Sequence, residues 1–222
     1  RRLVVSDTNI GPFGVMALGE ALQKARQLED LHLGSACVGL DGCLSLARAI
    51  VGSSTLKALR LQGCGINSDG TEVLGEALAK SRSFEALDLP HNQTGLAGVV
   101  ALARGITQSR TFRHLDLKSN MLDAGAVLAL APALSGCKTL HSVELGYNCV
   151  EAVGAQVLGQ LMAASASLQH VGLSHAGILD EGAAFLGAGL GKSASLRTLD
   201  LQACGLGVAG AQALAEGVAV AP

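Results

Sequence analysis

The side chains of this 222-residue chain best suited to chemistry are its histidines and one row of carboxylates. Asp88, Asp116 and Glu144 follow one another at a spacing of 28 residues. Like charges at equivalent positions of neighbouring strands repel each other, so such a row requires either compensating cations or a basic ligand. Lys118, Arg113 and the histidines are the candidates for compensation. A basic partner surface is the alternative, and the sequence leaves both interpretations open.

The histidines do not form a recognisable catalytic or metal-binding set. All six fall in predicted strands or in the turns directly after them: His32, His91, His114, His141, His170 and His175. His114 and His170 lie two 28-residue periods apart, about 10 Å by strand spacing, which is too far for two ligands of one metal ion. No set of nucleophile, base and acid is apparent. We therefore predict no enzymatic activity, no metal site and no cofactor.

Two glycine motifs are similar to phosphate-binding sequences. Residues 205–210 spell G-x-G-x-x-G, but Gly210 is a helix-start glycine that recurs along the chain, and no second strand with an acidic residue follows. Gly191-Lys192-Ser193 follows a predicted helix, so it lacks the helix N-terminus that phosphate binding uses. We predict that neither motif binds a nucleotide.

The elements that position these residues come from a strict leucine period. In the unit beginning at Leu56, alternation over Leu59 and Leu61 predicts a short strand, and Leu74 and Leu78 form the apolar stripe of a following helix. Apolar residues open each such unit: Leu28, Leu56, Phe84, Phe112, Leu140, Leu168 and Leu196. Parallel strands stack about 4.8 Å apart whereas helices need about 10 Å, so the stack is expected to curve with its sheet inside.

Side-chain caps are expected at several helix starts. Ser68 or Asp69 can accept from the free backbone N–H groups of the third helix. Asp41, Asp123 and Asp180 are further candidates for the helices in which they lie.

The repeat also resembles a known family. L-x-x-L-x-L-x-x-N/C-x-L is the leucine-rich-repeat signature, and its N/C position is filled here by Cys64, Asn92, Asn120, Asn148 and Cys204. The 28-residue length with G-x-x-x-L-x-x-x-L in the second half resembles the ribonuclease-inhibitor-like class, which includes the ribonuclease inhibitor, the C-terminal sensors of NOD-like receptors and the Ran GTPase-activating protein. The N/C position departs from the signature at Thr8, Ala36 and Ala176.

The expected fold is an α/β leucine-rich-repeat solenoid, a curved horseshoe of about eight repeats with a parallel sheet on the concave side and helices on the convex side. One domain is expected to cover residues 1–222, with repeat starts near 28, 56, 84, 112, 140, 168 and 196. Because polar capping units are missing at both sides, we expect a segment of a longer protein, or ends covered by flanking sequence or neighbouring subunits. Several apolar side chains would then be exposed: Leu3, Val5, Leu18, Leu22, Leu199, Leu201, Leu214 and Val218.

Composition narrows the possible partners. A net charge of −2 provides no global field that would attract nucleic acid, so nucleic-acid binding is not expected. No apolar run has the roughly 18 residues of a membrane span, so no membrane partner is expected either. The six cysteines form no C-x-x-C pair, and we interpret them as buried, reduced thiols of a cytoplasmic protein. Asn92-Gln93-Thr94 matches a glycosylation sequence, but Asn92 is predicted to point inward.

The function indicated is recognition of a protein partner, one with a basic surface, through the concave face and adjoining turns. The candidate contact residues are Asp88, Asp116, Glu144, Tyr147, Asp200, Lys118, His91, His114, His170 and His175. Two alternatives are a Ran-type GTPase-activating module and an architectural subunit of a large assembly. A second apolar set is expected to pack between repeats, with a partner-binding patch as the alternative: Leu40, Leu44, Leu96, Val100 and Leu128.

Overall fold

Strands and helices alternate strictly along the chain in the computed structural model, which describes residues 1–221 apart from the side chain at position 132. In that part the strands β1–β8 are Arg2–Val4, Asp30–His32, Ala58–Arg60, Ala86–Asp88, His114–Asp116, Ser142–Glu144, His170–Gly172 and Thr198–Asp200. The helices α1–α8 are Gly11–Lys24, Gly39–Gly52, Ser68–Lys80, Gly95–Gln108, Ala124–Gly136, Glu151–Ala164, Leu179–Leu190 and Val208–Val220. Repeats 1–8 are numbered here by their strands.

The strands form one parallel sheet in the order β1 to β8. Residues 28 positions apart are paired, as Leu59 is with Leu87. The middle residue of each strand from β2 to β7 is buried against the helices, and its two neighbours lie on the other face of the sheet. The expected curved leucine-rich-repeat solenoid is therefore confirmed.

The turns that follow the strands form one edge of the solenoid, the turn rim, which buried asparagines hold together. Oδ1 of Asn92 accepts from the N–H groups of Cys64 at 3.1 Å and Ile66 at 2.9 Å, both in the preceding repeat. Its Nδ2 donates to the carbonyls of Leu61 at 2.8 Å and Leu89 at 3.0 Å. Asn92 is only 4% exposed, which confirms its predicted inward position.

Cysteine replaces asparagine in two repeats and keeps part of this bonding. The Cys64 thiol donates to the Leu33 carbonyl at 2.8 Å, and Cys204 donates to Leu173 at 2.9 Å. Burial raises the pKa of Cys64 to about 11, so this thiol remains a neutral donor at physiological pH. All six cysteines are unpaired, but Cys37 and Cys149 are exposed, so the prediction of burial is wrong for these two.

The loops between each helix end and the next strand form the opposite edge, the loop rim. Here Oγ of Ser81 accepts from the N–H groups of Ser83 at 3.4 Å and Phe84 at 3.2 Å. The Ser83 hydroxyl in turn donates to the carbonyls of Ser53 at 3.0 Å and Leu56 at 3.2 Å in the loop before β3. Equivalent bonds recur in other repeats, so hydroxyl groups satisfy the backbone where asparagines do on the other rim.

Helix caps agree only partly with the sequence prediction. Asn67, rather than Ser68 or Asp69, is the N-cap of α3, and it accepts a backbone N–H at 3.0 Å. The Ser68 hydroxyl instead accepts from Gly98 in the next helix, at 3.1 Å. Asp123 caps α5 as predicted.

The second apolar set does not pack between repeats as expected. Leu40, Leu44, Leu96 and Leu128 are exposed, with Leu96 at 58%, and Val100 is half-buried. They lie in the first two turns of their helices, on the convex side, where the wider spacing of helices leaves flanking positions uncovered.

The expected exposure of apolar residues near both ends is only partly correct. Leu3 and Val218 are exposed, but Leu22 is buried in the apolar core. The remaining members are half-buried: Val5, Leu18, Leu199, Leu201 and Leu214. Along residues 1–221, no helix combines the length and the apolar character needed to cross a bilayer.

Candidate functional site

Four carboxylates stand at the last position of their strands on the concave face and form the acidic row: Asp88, Asp116, Glu144 and Asp200. Strand pairing places Asp116 between Asp88 and Glu144. Asp200 stands apart because Gly172 lies between it and Glu144. Asp88 and Glu144 are each only 8% exposed, so two members of the row are largely withdrawn from solvent.

Asp88 lies between basic side chains of both neighbouring strands. Its Oδ2 is ion-paired with Nη1 of Arg60, and its Oδ1 lies 3.1 Å from Nε2 of His114. Burial raises the pKa of Asp88, but the nearby His114 and Arg60 outweigh burial and hold the pKa below its usual value. The charge of Asp88 is thus already compensated within the chain.

Glu144 is compensated in the same manner. Its Oε2 lies 2.8 Å from Nζ of Lys118, and its Oε1 accepts a hydrogen bond from Nε2 of His170. The carboxylate lies over Gly172, where a Cβ atom would collide with it. The glycine therefore makes room for Glu144 to lean toward β7.

Asp116 and Asp200 differ from these two because neither has a cation within ion-pair distance among the described residues. Asp116 accepts the N–H of Lys118 at 2.9 Å, and Asp200 accepts a backbone N–H two residues further on, also at 2.9 Å. Burial raises the pKa of Asp116, and the charges of Asp88 and Glu144 raise it further, against the opposing effect of Lys118. An additional cation on the concave face would therefore be most favourable beside Asp116.

An exposed aromatic pair lies on the turn rim next to the acidic row. The rings of Tyr147 and His175 are stacked, with centroids 4.3 Å apart and planes inclined by 18°. Tyr147 is 54% exposed. Both residues have left-handed backbone conformations, with φ of 57° and 56°, which cost about 1–2 kcal/mol in a residue other than glycine. His91 has the same conformation at the equivalent position of repeat 4, and Met121 on the same rim is 75% exposed.

The sequence placed both residues of this pair among the contact residues but did not bring them together. The signal was present, because Tyr147 and His175 are 28 residues apart and so share one position in adjacent repeats. The left-handed backbone belongs to the repeat, because the equivalent position has positive φ in all eight repeats, from Asp7 to Ala203. What distinguishes repeats 6 and 7 is that two large rings occupy it side by side.

Two other basic residues, Arg113 and His141, do not lie where the sequence analysis placed them. Arg113 is 3.5 Å from Glu85, so it does not neutralise the acidic row as expected. His141 lies directly before β6 rather than within or after a strand, and its Nδ1 donates to the Thr139 carbonyl at 2.5 Å.

The backbone N–H groups of the glycine motif before α8 are already bonded to a carboxylate of the chain itself. Oδ1 of Asp180 accepts from the N–H groups of Gly207 at 2.6 Å and Gly210 at 3.0 Å, where a phosphate would bind. Asp180 therefore caps the following helix and not its own, contrary to the prediction. Asp41 lies in the first turn of α2, whose N-cap residue, Val38, makes no side-chain cap bond. Within residues 1–221, no group of three potential ligands is placed to hold a metal ion.

Comparison with known proteins agrees with the repeat architecture. The family model described as Leucine Rich repeat matches residues 52–75, 136–159 and 192–215. These segments start at 52, 136 and 192, which are three and then two 28-residue periods apart. A comparison with curated proteins found no match. The chain therefore carries leucine-rich repeats and folds as a leucine-rich-repeat solenoid.

Proposed function

We propose that this chain is a non-catalytic recognition module that binds a protein through the concave face of repeats 5–8 and the adjoining turn rim. Leucine-rich repeats are generally protein-interaction modules. The resemblance of the 28-residue repeats to the ribonuclease-inhibitor-like class supports the same role. The single observation that carries the proposal is the stacked, exposed pair of Tyr147 and His175 beside the acidic row.

Tyr147 has the properties of an interface anchor. Tyrosine brings a large apolar ring and a polar hydroxyl at little cost in side-chain entropy, and it is enriched among residues that dominate binding energy. Stacking on His175 restricts the ring before a partner arrives.

The acidic row supports a partner with a basic surface. Because Arg60, His114, Lys118 and His170 already lie beside Asp88 and Glu144, the free negative charge belongs to Asp116 and Asp200. Burial and the charges of Asp88 and Glu144 raise the pKa of Asp116, and a lysine or arginine of the partner placed beside it would offset both effects. Such a contact also speeds association at low salt.

The experiment compares proteins captured by the wild-type chain and by two variants, using quantitative mass spectrometry. Tyr147→Asn removes the ring but keeps a residue that tolerates positive φ, and Asp116→Asn with Asp200→Asn removes the free charges. The anchor variant is expected to retain about 30-fold less partner, the scale of losing about 2 kcal/mol of binding energy. The charge variant should flatten the salt dependence.

Glu76→Gln with Arg104→Gln, on exposed positions of α3 and α4, is the matched convex control. It should leave capture unchanged. If the convex variant abolishes capture while both concave variants retain it, the recognition surface proposed here is wrong. Recovery of a small GTPase or of a whole assembly would favour the GTPase-activating or the architectural alternative.

A further inference from the structure

A cavity of about 470 Å³ opens on the loop rim between repeats 3 and 4. It lies on the opposite edge of the solenoid from the aromatic pair. Its lining is polar and cationic, and it consists of Ala79, Lys80, Ser81, Arg82, Gln108, Arg110 and Thr111. No carboxylate is among them.

The three cations of this cavity have no partner among the described residues. Lys80, Arg82 and Arg110 are exposed, and none makes a hydrogen bond or an ion pair within residues 1–221. Some rim cations are paired, since Lys57 lies 3.2 Å from Glu29 and Arg113 is similarly paired. Lys24, Arg26 and Lys138 are exposed and unpaired among the described residues, like the three cations of the cavity. What distinguishes the cavity is that three such cations line one opening with no carboxylate among its lining residues.

Helix stabilisation explains only part of this charge. Lys80 is the last residue of α3, where a cation interacts favourably with the helix dipole. Arg82 and Arg110 each lie two residues beyond the end of their helix, outside the last turn. The same position carries Lys138 in repeat 5, which continues the positive charge along the rim.

We propose that this cavity binds a phosphate monoester carried by a peptide, as phosphoserine or phosphothreonine. A phosphate monoester carries about −1.5 to −2 charges at neutral pH and offers three acceptor oxygens. The guanidinium forks of Arg82 and Arg110 match such oxygens pairwise, Lys80 adds a point charge, and the amide of Gln108 adds a donor. Lys138 then meets an acidic side chain of the same peptide one repeat further on.

The arrangement favours a peptide over a membrane or a nucleic acid. The loop segments 79–83 and 107–111 present no large exposed apolar side chain for insertion into lipid, and Phe84 and Phe112 beside them are buried. They also present no exposed aromatic ring on which a base could stack. Three cations surround a single cavity, which suits one concentrated dianion better than a string of spaced phosphates.

The test is fluorescence anisotropy with a labelled peptide that carries one phosphoserine, and with its unphosphorylated serine form. The wild-type chain should bind the phosphopeptide and not the serine peptide. Lys80→Gln with Arg82→Gln and Arg110→Gln should weaken binding by about tenfold or more, because charge-assisted hydrogen bonds are lost. Arg82→Lys should give an intermediate loss, since it keeps the charge without the fork.

Lys24→Gln with Arg26→Gln is the matched control, because these residues hold the positions of Lys80 and Arg82 in repeat 1, outside the cavity. It should leave binding unchanged. Circular dichroism and the thermal midpoint check that the exposed substitutions leave the fold intact. Equal affinity for the two peptides, or full binding by the triple variant, would overturn the proposal. Binding to phosphatidylserine-containing vesicles but not to the phosphopeptide would replace the peptide by a membrane. Neither result would affect the recognition proposed for the concave face.

Discussion

The turn rim and the loop rim lie at opposite ends of the same strands, and both are held by side chains that bond to backbone groups of the preceding turn or loop. On the turn rim this residue is a buried asparagine or cysteine, whereas on the loop rim it is a serine or threonine hydroxyl. The exposed positions differ more. The turn rim presents Tyr147 and His175 beside carboxylates, and the loop rim presents unpaired cations. Buried positions thus maintain the repeat, and exposed positions distinguish one rim from the other.

We expect stability to depend more strongly on a single side chain of the turn rim than on any of the loop rim. Asn92→Ala should destabilise the chain by about 3 kcal/mol, because it leaves buried N–H and carbonyl groups of Cys64, Ile66 and Leu61 without partners. Urea unfolding followed by circular dichroism measures this loss. Cys64→Ala, which removes a single thiol donor, is the matched variant and should cost about 1 kcal/mol. Equal losses would show that the asparagine has no special role.

Removing a bonding side chain from the loop rim should cost less stability. Ser81→Ala removes an acceptor for two backbone N–H groups in the loop after α3 and should cost about 1 kcal/mol in the same measurement. Ser54→Ala, at an exposed loop position of the preceding repeat, should change stability by less than about 0.5 kcal/mol. A loss at Ser81 as large as that at Asn92 would remove the distinction between the rims.

The smallest effect is expected on the concave face. Asp116→Asn should stabilise the chain by about 0.5 kcal/mol at pH 7, because it removes a charge that burial and the repulsion by Asp88 and Glu144 disfavour. The folded-state pKa of Asp116 is raised above 3.8, so the unfavourable charge is present above that raised pKa and disappears as pH falls through it. The advantage of the variant should therefore vanish in acid.

Asp200→Asn is the matched variant, because its neighbour on β7 is Gly172 and no carboxylate stands beside it. We expect no stabilisation there. Thermal midpoints measured across pH distinguish the two, and equal behaviour would show that strand neighbours do not cause the effect.

The periodic apolar residues made the architecture predictable, because strand, turn and helix each bury leucine at fixed positions of the repeat. Side-chain bonds between repeats were harder to predict. Asp180 caps α8 rather than its own helix, and sequence rules for caps consider only the adjacent helix. The cap at Asn67 was missed because three neighbouring residues were all able to cap.

The positions of the candidate site residues along the strands could be predicted from the sequence, but the directions of their side chains could not. Strand spacing places Arg60 beside Asp88, so their pairing could have been found by aligning residues 28 apart. That Glu144 leans across Gly172 toward His170 depends on side-chain direction, which periodicity does not describe. The cationic cavity was missed because net charge over the whole chain conceals a local cluster.

The bonds of Asn92 and Asp180 run in opposite directions along the chain, and this has a consequence for synthesis. Asn92 completes the turn of the repeat before it, whereas Asp180 caps the helix of the repeat after it. On the ribosome, α8 therefore emerges to find its cap already in place, but the turn of repeat 3 stays unfinished until another 28 residues have been added. The turn carrying Tyr147 likewise awaits the carbonyl of Ser174 in repeat 7. In a nascent chain the cap of α8 is thus available before its helix, whereas the aromatic surface is completed one repeat late.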